Sequence, residues 1–206
     1  MPVIAIIDYR AGNLRSVERA LDHLGVSCRI TDSPALIRSA ERVIFPGVGA
    51  AGRAMESIVS LELDEVIRET VDRGVPFLGI CLGTQIILDE SEEDDARCLG
   101  IILGRVRRFP ETPGLKVPHM GWNTLERLVD HPLLNGIDPG AGFYFVHSYY
   151  PEPARKEDAA ACTVHGVRFV SMIARGNVAA VQFHPEKSGR PGLRLLENFC
   201  RWDGGA

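Results

Sequence analysis

The segment Phe77-Leu-Gly-Ile-Cys-Leu-Gly-Thr-Gln85 is the most informative part of the chain for its fold. Its apolar beginning predicts a short buried strand, and the residues after Cys81 predict a helix. Glycines stand two positions before and two positions after Cys81, where they let the chain reverse tightly. The pattern therefore predicts a strand, a sharp turn and a helix, an arrangement that raises one side chain out of the turn.

Similar apolar runs, Val3–Ile7 and Val43–Phe45, alternate with segments of helical spacing in the first half of the chain. Strands that alternate with helices predict an α/β fold with a mostly parallel sheet. The helix after the first run carries its apolar residues on one face, and these are Leu14, Val17, Leu21 and Leu24. Gly25 is expected to end that helix in a left-handed conformation.

The second half carries three strand-like runs without a long helix between them: Phe143–His147, Phe169–Ala174 and Val178–Phe183. Antiparallel strands are therefore expected to join the sheet, and Pro191 is expected to lead a closing helix. At 206 residues the chain predicts a single α/β domain over residues 1–206, with a central mixed sheet flanked by helices.

Composition excludes several classes of protein. The formal net charge is −4 and the basic residues form no stripe, so nucleic acid is not an expected partner. No apolar run is long enough to span a bilayer and no targeting segment is evident, so a cytoplasmic protein without a membrane partner is expected. The 5 cysteines are an odd number without CxxC spacing, which argues against a disulfide framework or a thiolate zinc site.

Cys81 is the candidate nucleophile, because a helix N-terminus favours the thiolate form. The backbone N–H of Leu82, the next residue, could donate to an oxyanion. The alternative is a buried cysteine between packing glycines, so a second motif is needed.

The second motif is Val181-Gln-Phe-His-Pro-Glu186. His184 and Glu186 are two positions apart, so in an extended segment their side chains leave on the same side. The carboxylate could then orient the imidazole, while His184 takes a proton from Cys81 and gives one to the leaving group. Taken alone, His-Pro-Glu is better interpreted as a capping or surface histidine. Together with the predicted sharp turn at Cys81, a catalytic histidine is the better interpretation.

A third motif is the strand-to-turn segment Phe45-Pro-Gly-Val-Gly49. The backbone N–H groups of Gly47, Val48 and Gly49 could supply a second oxyanion donor. Phosphate binding is the competing interpretation, although the segment lacks the Lys-Ser/Thr ending of a P-loop. The acidic run Asp89–Arg97 is interpreted as a solvated loop, and His23, His131 and His165 show no partner in the sequence.

These three motifs, in this order, resemble those of class I glutamine amidotransferases of the triad type. Within that class the chain is similar to the glutaminase subunits of imidazole glycerol phosphate synthases. Four further segments carry this closer resemblance: Asp8–Val17, Lys116–Asn123, Tyr144–Tyr149 and Gln182–Ser188. The resemblance implies a flavodoxin-like three-layer architecture, hydrolysis of glutamine to glutamate and ammonia, and no metal or organic cofactor.

Carried over residue by residue, the resemblance implies Cys81 as nucleophile, His184 as base and Glu186 as orienting carboxylate. Leu82 and the turn Gly47–Gly49 would hold the oxyanion. The implied glutamine contacts are Gly49, Gln85, His147, Ser148 and Tyr149. The positions implied to face a TIM-barrel cyclase subunit, which would receive the ammonia, are Asn13, Trp122, Tyr144 and Lys187.

Two positions depart from the family pattern. Arg10 replaces a usual glycine and could alter a turn of positive φ, and Thr84 replaces a usual methionine beside the site. Alternatives also remain open: a glutaminase that serves another acceptor synthase, a catalytically silent regulatory module, or a cysteine peptidase. We further expect the isolated subunit to be nearly inactive until its partner carries a ligand, with reorientation of the Gly47–Gly49 turn as the switch.

Overall fold

The computed structural model describes residues 4–10 and 12–205. Val3, the first residue of the first predicted strand, lies outside the described residues, as does Ala11 in the segment Asp8–Val17.

Fourteen strands are assigned within the described residues. They are β1 (Ile4–Ile7), β2 (Cys28–Thr31), β3 (Arg42–Gly47), β4 (Phe77–Cys81), β5 (Glu90–Ser91), β6 (Ala96–Arg97), β7 (Gly104–Arg108), β8 (His119–Thr124), β9 (Glu126–Arg127), β10 (Gly142–His147), β11 (Tyr149–Pro153), β12 (Ala159–His165), β13 (Val167–Arg175) and β14 (Val178–Val181). The α-helices are α1 (Leu14–His23), α2 (Pro34–Ser39), α3 (Ala51–Ser60), α4 (Leu63–Asp72), α5 (Leu82–Ile86) and α6 (Gly189–Arg201). Short 3-10 turns cover Pro132–Leu134, Lys156–Asp158 and Pro185–Lys187.

The main sheet has eight strands in the order β2-β1-β3-β4-β14-β13-β12-β9. The pairings from β2 through to β14 are parallel, and those from β14 onward to β9 are antiparallel. The predicted mixed α/β sheet is thereby confirmed. Its parallel half has the strand order of a doubly wound fold, in which ligands bind beyond the carboxyl ends of the strands.

Helices cover both faces of this sheet, as three layers require. On one face α1 and α6 bury Val17, Leu21, Leu196 and Phe199 against the sheet. On the other face α2, α3, α4 and α5 bury residues that include Ile37, Ile58 and Ile67. Gly25 follows α1 with φ +70°, as predicted from its position. No helix among residues 4–10 and 12–205 is both long enough and apolar enough to cross a membrane.

One expected strand lies elsewhere. The run Phe143–His147 was expected in the main sheet, but β10 pairs with β8 in a separate antiparallel sheet of two strands. The place beside β14 is already filled, because the short turn after Arg175 folds β13 directly back onto it. A further small sheet contains β11, β7, β5 and β6, so part of the acidic run is strand rather than a plain loop.

Candidate active site

The sharp turn between β4 and α5 has a strained backbone at Cys81, as expected where a turn raises one side chain. Cys81 itself adopts φ 54° and ψ −106°, which a non-glycine residue rarely adopts. A Cβ atom on Gly83 would lie 1.9 Å from the carbonyl oxygen of Phe45. One on Gly79 would meet Ala180 and the backbone of Gly83 at 3.0 Å. The two glycines are therefore needed for α5 to pack against β3 directly after the turn.

His184 and Glu186 form a buried pair just beyond the carboxyl end of β14. Nδ1 of His184 lies 2.8 Å from Oε1 of Glu186, and both side chains are completely buried. Pro185 stands between them and opens a 3-10 turn. The side-chain amide of Asn13, which precedes α1, donates to the same Glu186 oxygen at 2.6 Å. The carboxylate is thus held from a second element and fixes the orientation of the imidazole.

The other imidazole nitrogen is the one available to Cys81. Nε2 of His184 is buried and has no hydrogen-bond partner among the described residues. Burial lowers the pKa of His184, but the nearby Cys81 and the Glu186 carboxylate bonded to Nδ1 raise it by more, to about 9. The amide of Gln182 also donates to the sulfur of Cys81, at 3.7 Å. An imidazole that stays protonated beside a sulfur suits a thiolate nucleophile.

The thiol faces a cavity of about 360 Å³. Its walls contain all five residues implied to contact glutamine, which are Gly49, Gln85, His147, Ser148 and Tyr149. Gln85 is fixed in this wall, because its amide donates to the carbonyl of Tyr149 at 2.9 Å. His184 is completely buried and is not part of the wall. The cavity has the scale of a small polar metabolite.

Three of the four residues implied to hold an oxyanion line this cavity. Val48, Gly49 and Leu82 line it, and Gly47 pairs with Cys81 across β3 and β4. Gly49 has φ +104°, a conformation open to glycine but strained for other residues. Since a glycine peptide rotates at low cost, this turn is able to redirect an N–H group towards the cavity.

Tyr9 lies on the far side of the same turn. Its hydroxyl is buried without a hydrogen-bond partner among the described residues, and burial together with the charge of Cys81 raises its pKa. A Cβ atom on Gly47 would lie 1.9 Å from that hydroxyl and 3.0 Å from Cβ of Leu82. Gly47 is therefore required here because Tyr9 occupies the space of a side chain.

The sequence interpretation missed Glu93, which also lines the cavity. It belongs to the acidic run that was expected to be a solvated loop, yet its carboxylate accepts a hydrogen bond of 2.9 Å from the backbone of Ala51 at the start of α3. Burial raises the pKa of Glu93. A carboxylate in this wall is suited to the α-ammonium group of an amino acid. No periodicity separates it from its acidic neighbours, so only the fold could identify it.

The four positions implied to face a partner cluster around His184. Tyr144 accepts a backbone hydrogen bond of 2.9 Å from His184, and the exposed Lys187 ends the turn that contains Glu186. Trp122 is 62% exposed and packs edge-on against Tyr144, with ring centroids 6.0 Å apart. Asn13 is half-buried and contacts Glu186. A surface over the two-stranded sheet of β8 and β10 would thus adjoin the His184–Glu186 pair.

The structure accommodates Arg10 and Thr84, the two residues that depart from the family pattern. Arg10 adopts φ 67°, so it keeps the positive-φ turn that glycine would provide, and its N–H donates to Asp8 at 2.8 Å. Thr84 is completely buried, and its hydroxyl donates to the carbonyl of Val181 at 2.6 Å. That bond ties α5 to the strand that leads to His184.

Comparisons with known proteins agree with this arrangement. The family model described as "Glutamine amidotransferase class-I" matches residues 5–202. The imidazole glycerol phosphate synthase subunit HisH of Nitratidesulfovibrio vulgaris (strain DP4) is 53% identical, over 97% of this chain and 96% of its own. The protein of the same name from Dehalococcoides mccartyi is 50% identical over 97% of each chain. Among solved structures, PurLQS from Thermotoga maritima aligns with a TM-score of 0.76 at 18% identity, over 97% of this chain and 98% of that one.

Proposed function

The chain belongs to the class-I glutamine amidotransferase family, and from this membership we propose that it is the glutaminase subunit of an imidazole glycerol phosphate synthase. It would hydrolyse glutamine and deliver the ammonia to a cyclase subunit in histidine biosynthesis. The proposal covers residues 1–206 as one amidotransferase domain acting in the cytoplasm.

One observation carries the catalytic part of the proposal. A cysteine with φ 54° lines a cavity of about 360 Å³, beside a buried His–Glu pair whose Nε2 atom has no hydrogen-bond partner among the described residues. A strained backbone and an unpaired buried nitrogen both cost stability. Their joint presence at one cavity is explained by a nucleophile and its base.

In the first half of the reaction, Cys81 attacks the side-chain amide carbon of glutamine, which lies in the cavity with its α-ammonium near Glu93. The oxyanion accepts hydrogen bonds from the backbone of Leu82 and from the Gly47–Gly49 turn. His184 gives a proton to the departing ammonia, and a γ-glutamyl thioester remains on Cys81.

In the second half, neutral His184 takes a proton from water, and the hydroxide attacks the thioester carbon. The bond between the carbonyl carbon and the sulfur then breaks and glutamate leaves. The proton that His184 took from water returns to the sulfur or stays on the imidazole. Glu186 acts throughout by stabilising the imidazolium and fixing Nδ1, so that Nε2 faces the reacting atoms.

Ammonia then passes to a TIM-barrel cyclase subunit, which closes the imidazole ring. We place this partner over Trp122, Tyr144, Lys187 and Asn13, because an exposed tryptophan beside the catalytic pair suits an interface anchor. The nearer alternative, another acceptor synthase, would use the same glutaminase chemistry with a different surface.

The test is reconstitution with the cognate cyclase from the same genome. We expect glutamine-dependent formation of imidazole glycerol phosphate by the pair, and no anthranilate or guanylate with the corresponding synthases. Cys81→Ser is the matched variant: it should lose synthesis from glutamine while the complex keeps synthesis from ammonium salt. Failure of the pair to use glutamine, with ammonia-dependent synthesis intact, would contradict the proposal.

The same assay tests the expected dependence on the partner. We expect the lone chain to hydrolyse glutamine far more slowly than the complex with its ligand bound. Equal turnover by the lone chain would show that the oxyanion turn needs no partner-driven change.

A further inference from the structure

A chain of hydrogen bonds runs inward from the two-stranded sheet of β8 and β10 to the wall of the glutamine cavity. His147 bonds the carbonyl of Tyr149 through Nδ1 at 2.7 Å. Its Nε2 lies 3.0 Å from Nδ1 of His119, and Nε2 of His119 lies 3.2 Å from the side-chain amide of Asn123. None of these links involves the catalytic His184.

The direction of every link can be deduced. A carbonyl only accepts, so Nδ1 of His147 carries the proton and its Nε2 must accept. Nδ1 of His119 is then the donor, and Nε2 of His119 accepts from Asn123. The Asn123 amide is oriented independently: its nitrogen also donates to Val164 at 2.9 Å, and its oxygen accepts from Thr124 at 2.9 Å. The chain therefore has one consistent polarity with both imidazoles neutral.

The surroundings favour these neutral forms. Burial, with the nearby His165, lowers the pKa of His119 to about 4. Burial is also the main cause that lowers the pKa of His147 to about 3. The ring of His165 stacks on His119 with centroids 4.1 Å apart, and Nε2 of His165 bonds the carbonyl of Lys116 at 2.8 Å. A proton added to either imidazole would place two donors face to face.

Beyond Tyr149 the hydrogen bonds continue to the nucleophile. Gln85 donates to the same Tyr149 carbonyl and to the side-chain oxygen of Gln182 at 3.0 Å. Gln182 in turn donates to the sulfur of Cys81 at 3.7 Å. An unbroken path of polar contacts therefore joins Cys81 to β8, whose Trp122 and Met120 are more than 60% exposed.

We propose that His119 and His147 are positioning residues, which hold the Tyr149 carbonyl and, through Gln85 and Gln182, the nucleophile in the geometry that glutamine needs. The proposal rests on the glutaminase part of the proposed function but not on the identity of the acceptor. It assigns the tautomer with the proton on Nδ1 to both residues. It also places Asn123 at the outer end of the path, on the two-stranded sheet of β8 and β10 that a bound partner would contact.

The kinetic test compares two substitutions of His119. His119→Phe keeps a ring for stacking but removes both nitrogens, which leaves Nε2 of His147 unpaired. His119→Asn keeps an amide donor near the position of Nδ1. In the complex we expect His119→Phe to raise the KM for glutamine by about tenfold or more, which is the scale of one lost buried hydrogen bond. We expect the KM of His119→Asn to lie much closer to that of the wild type. Synthesis from ammonium salt should not change.

The rate at which acivicin, an electrophilic glutamine analogue, labels Cys81 gives a readout that needs no acceptor substrate. It should fall in His119→Phe and recover in His119→Asn. His131→Phe is the matched control, because His131 is a buried histidine that packs on Trp202 and accepts from Leu133, away from this path. It should lower stability without changing the labelling rate.

Imidazole ¹⁵N NMR of the full wild-type chain tests the tautomers directly, and it decides the matter even if a variant fails to fold. We expect protonated Nδ1 and unprotonated Nε2 in both His119 and His147. The opposite tautomer in His147, or unchanged KM and labelling in His119→Phe, would overturn the proposal. Equal increases in KM and equal decreases in labelling rate in His119→Phe and His119→Asn would also overturn it. Loss of imidazole glycerol phosphate synthesis alone would instead count against the proposed acceptor.

Discussion

Asn13 donates a hydrogen bond of 2.6 Å to Oε1 of Glu186, the oxygen that also bonds His184. The asparagine precedes α1 and adopts a left-handed backbone conformation with φ 75°, and its amide reaches the His184–Glu186 pair. The other carboxylate oxygen is buried without a partner among the described residues. Asn13 is thus a support for the orienting carboxylate, in addition to its expected place at the partner surface.

Asn13→Ala should lower kcat/KM for glutamine by about 10–100-fold, because a hydrogen bond to a charged group contributes about 1.5–3 kcal/mol. Glutaminase kinetics of the complex measure this. Asn198→Ala is the control, since its amide bonds the carbonyls of Leu133 and Asn135 and does not reach the site. Wild-type kcat/KM in Asn13→Ala would show that Glu186 needs no second donor.

The raised pKa of His184 predicts a dependence of stability on pH. Its pKa is about 9 in the folded chain against a reference of 6.5, so folding favours the protonated form. This stabilisation is complete below about pH 6.5 and is lost as the pH rises through about 9. Urea unfolding should show the wild type losing about 1–3 kcal/mol over that window relative to Glu186→Gln, whose imidazole lacks the carboxylate. Parallel pH profiles for the two proteins would contradict the assignment.

Gly47→Ala should reduce glutamine turnover by about 10²–10³-fold, the scale of one lost oxyanion donor. The added methyl group would overlap the hydroxyl of Tyr9 and displace the turn. Tyr9→Phe removes that hydroxyl, so the double variant should recover part of the activity, as steady-state kinetics would reveal. If Tyr9→Phe gives no recovery, the contact with Leu82 rather than Tyr9 is what excludes a side chain at Gly47.

Trp122→Ala should weaken binding of the cyclase by about 30-fold, as for the truncation of an interface hot spot of about 2 kcal/mol. Isothermal titration of the two subunits measures the affinity. Val59→Ala is the control, because Val59 is 56% exposed on α3, outside the proposed surface. An unchanged Kd for Trp122→Ala would place the partner elsewhere.

The sequence predicted the α/β class, the turn at Cys81 and the motif His184-Pro-Glu186 because each depends on local spacing. Glycine is needed beside a tight reversal whatever surrounds it, and two residues in an extended segment share a side whatever they pack against. The antiparallel half of the sheet was also expected, although the place of Phe143–His147 was not. Sheet position depends on which strand occupies the place beside β14, and β13 occupies it because only a short turn separates the two strands.

Local sequence patterns were enough to identify the chemical groups of the candidate site and their order along the chain: a thiol on a glycine turn, then an imidazole and a carboxylate. The contact between Asn13 and Glu186, which are 173 positions apart in the chain, became visible in the folded structure. So did the place of Glu93, a residue of the acidic run, in the wall of the cavity. The folded structure likewise joined His119 to His147. These contacts join residues of separate strands and loops that are far apart in the chain, and no local pattern records which of them meet.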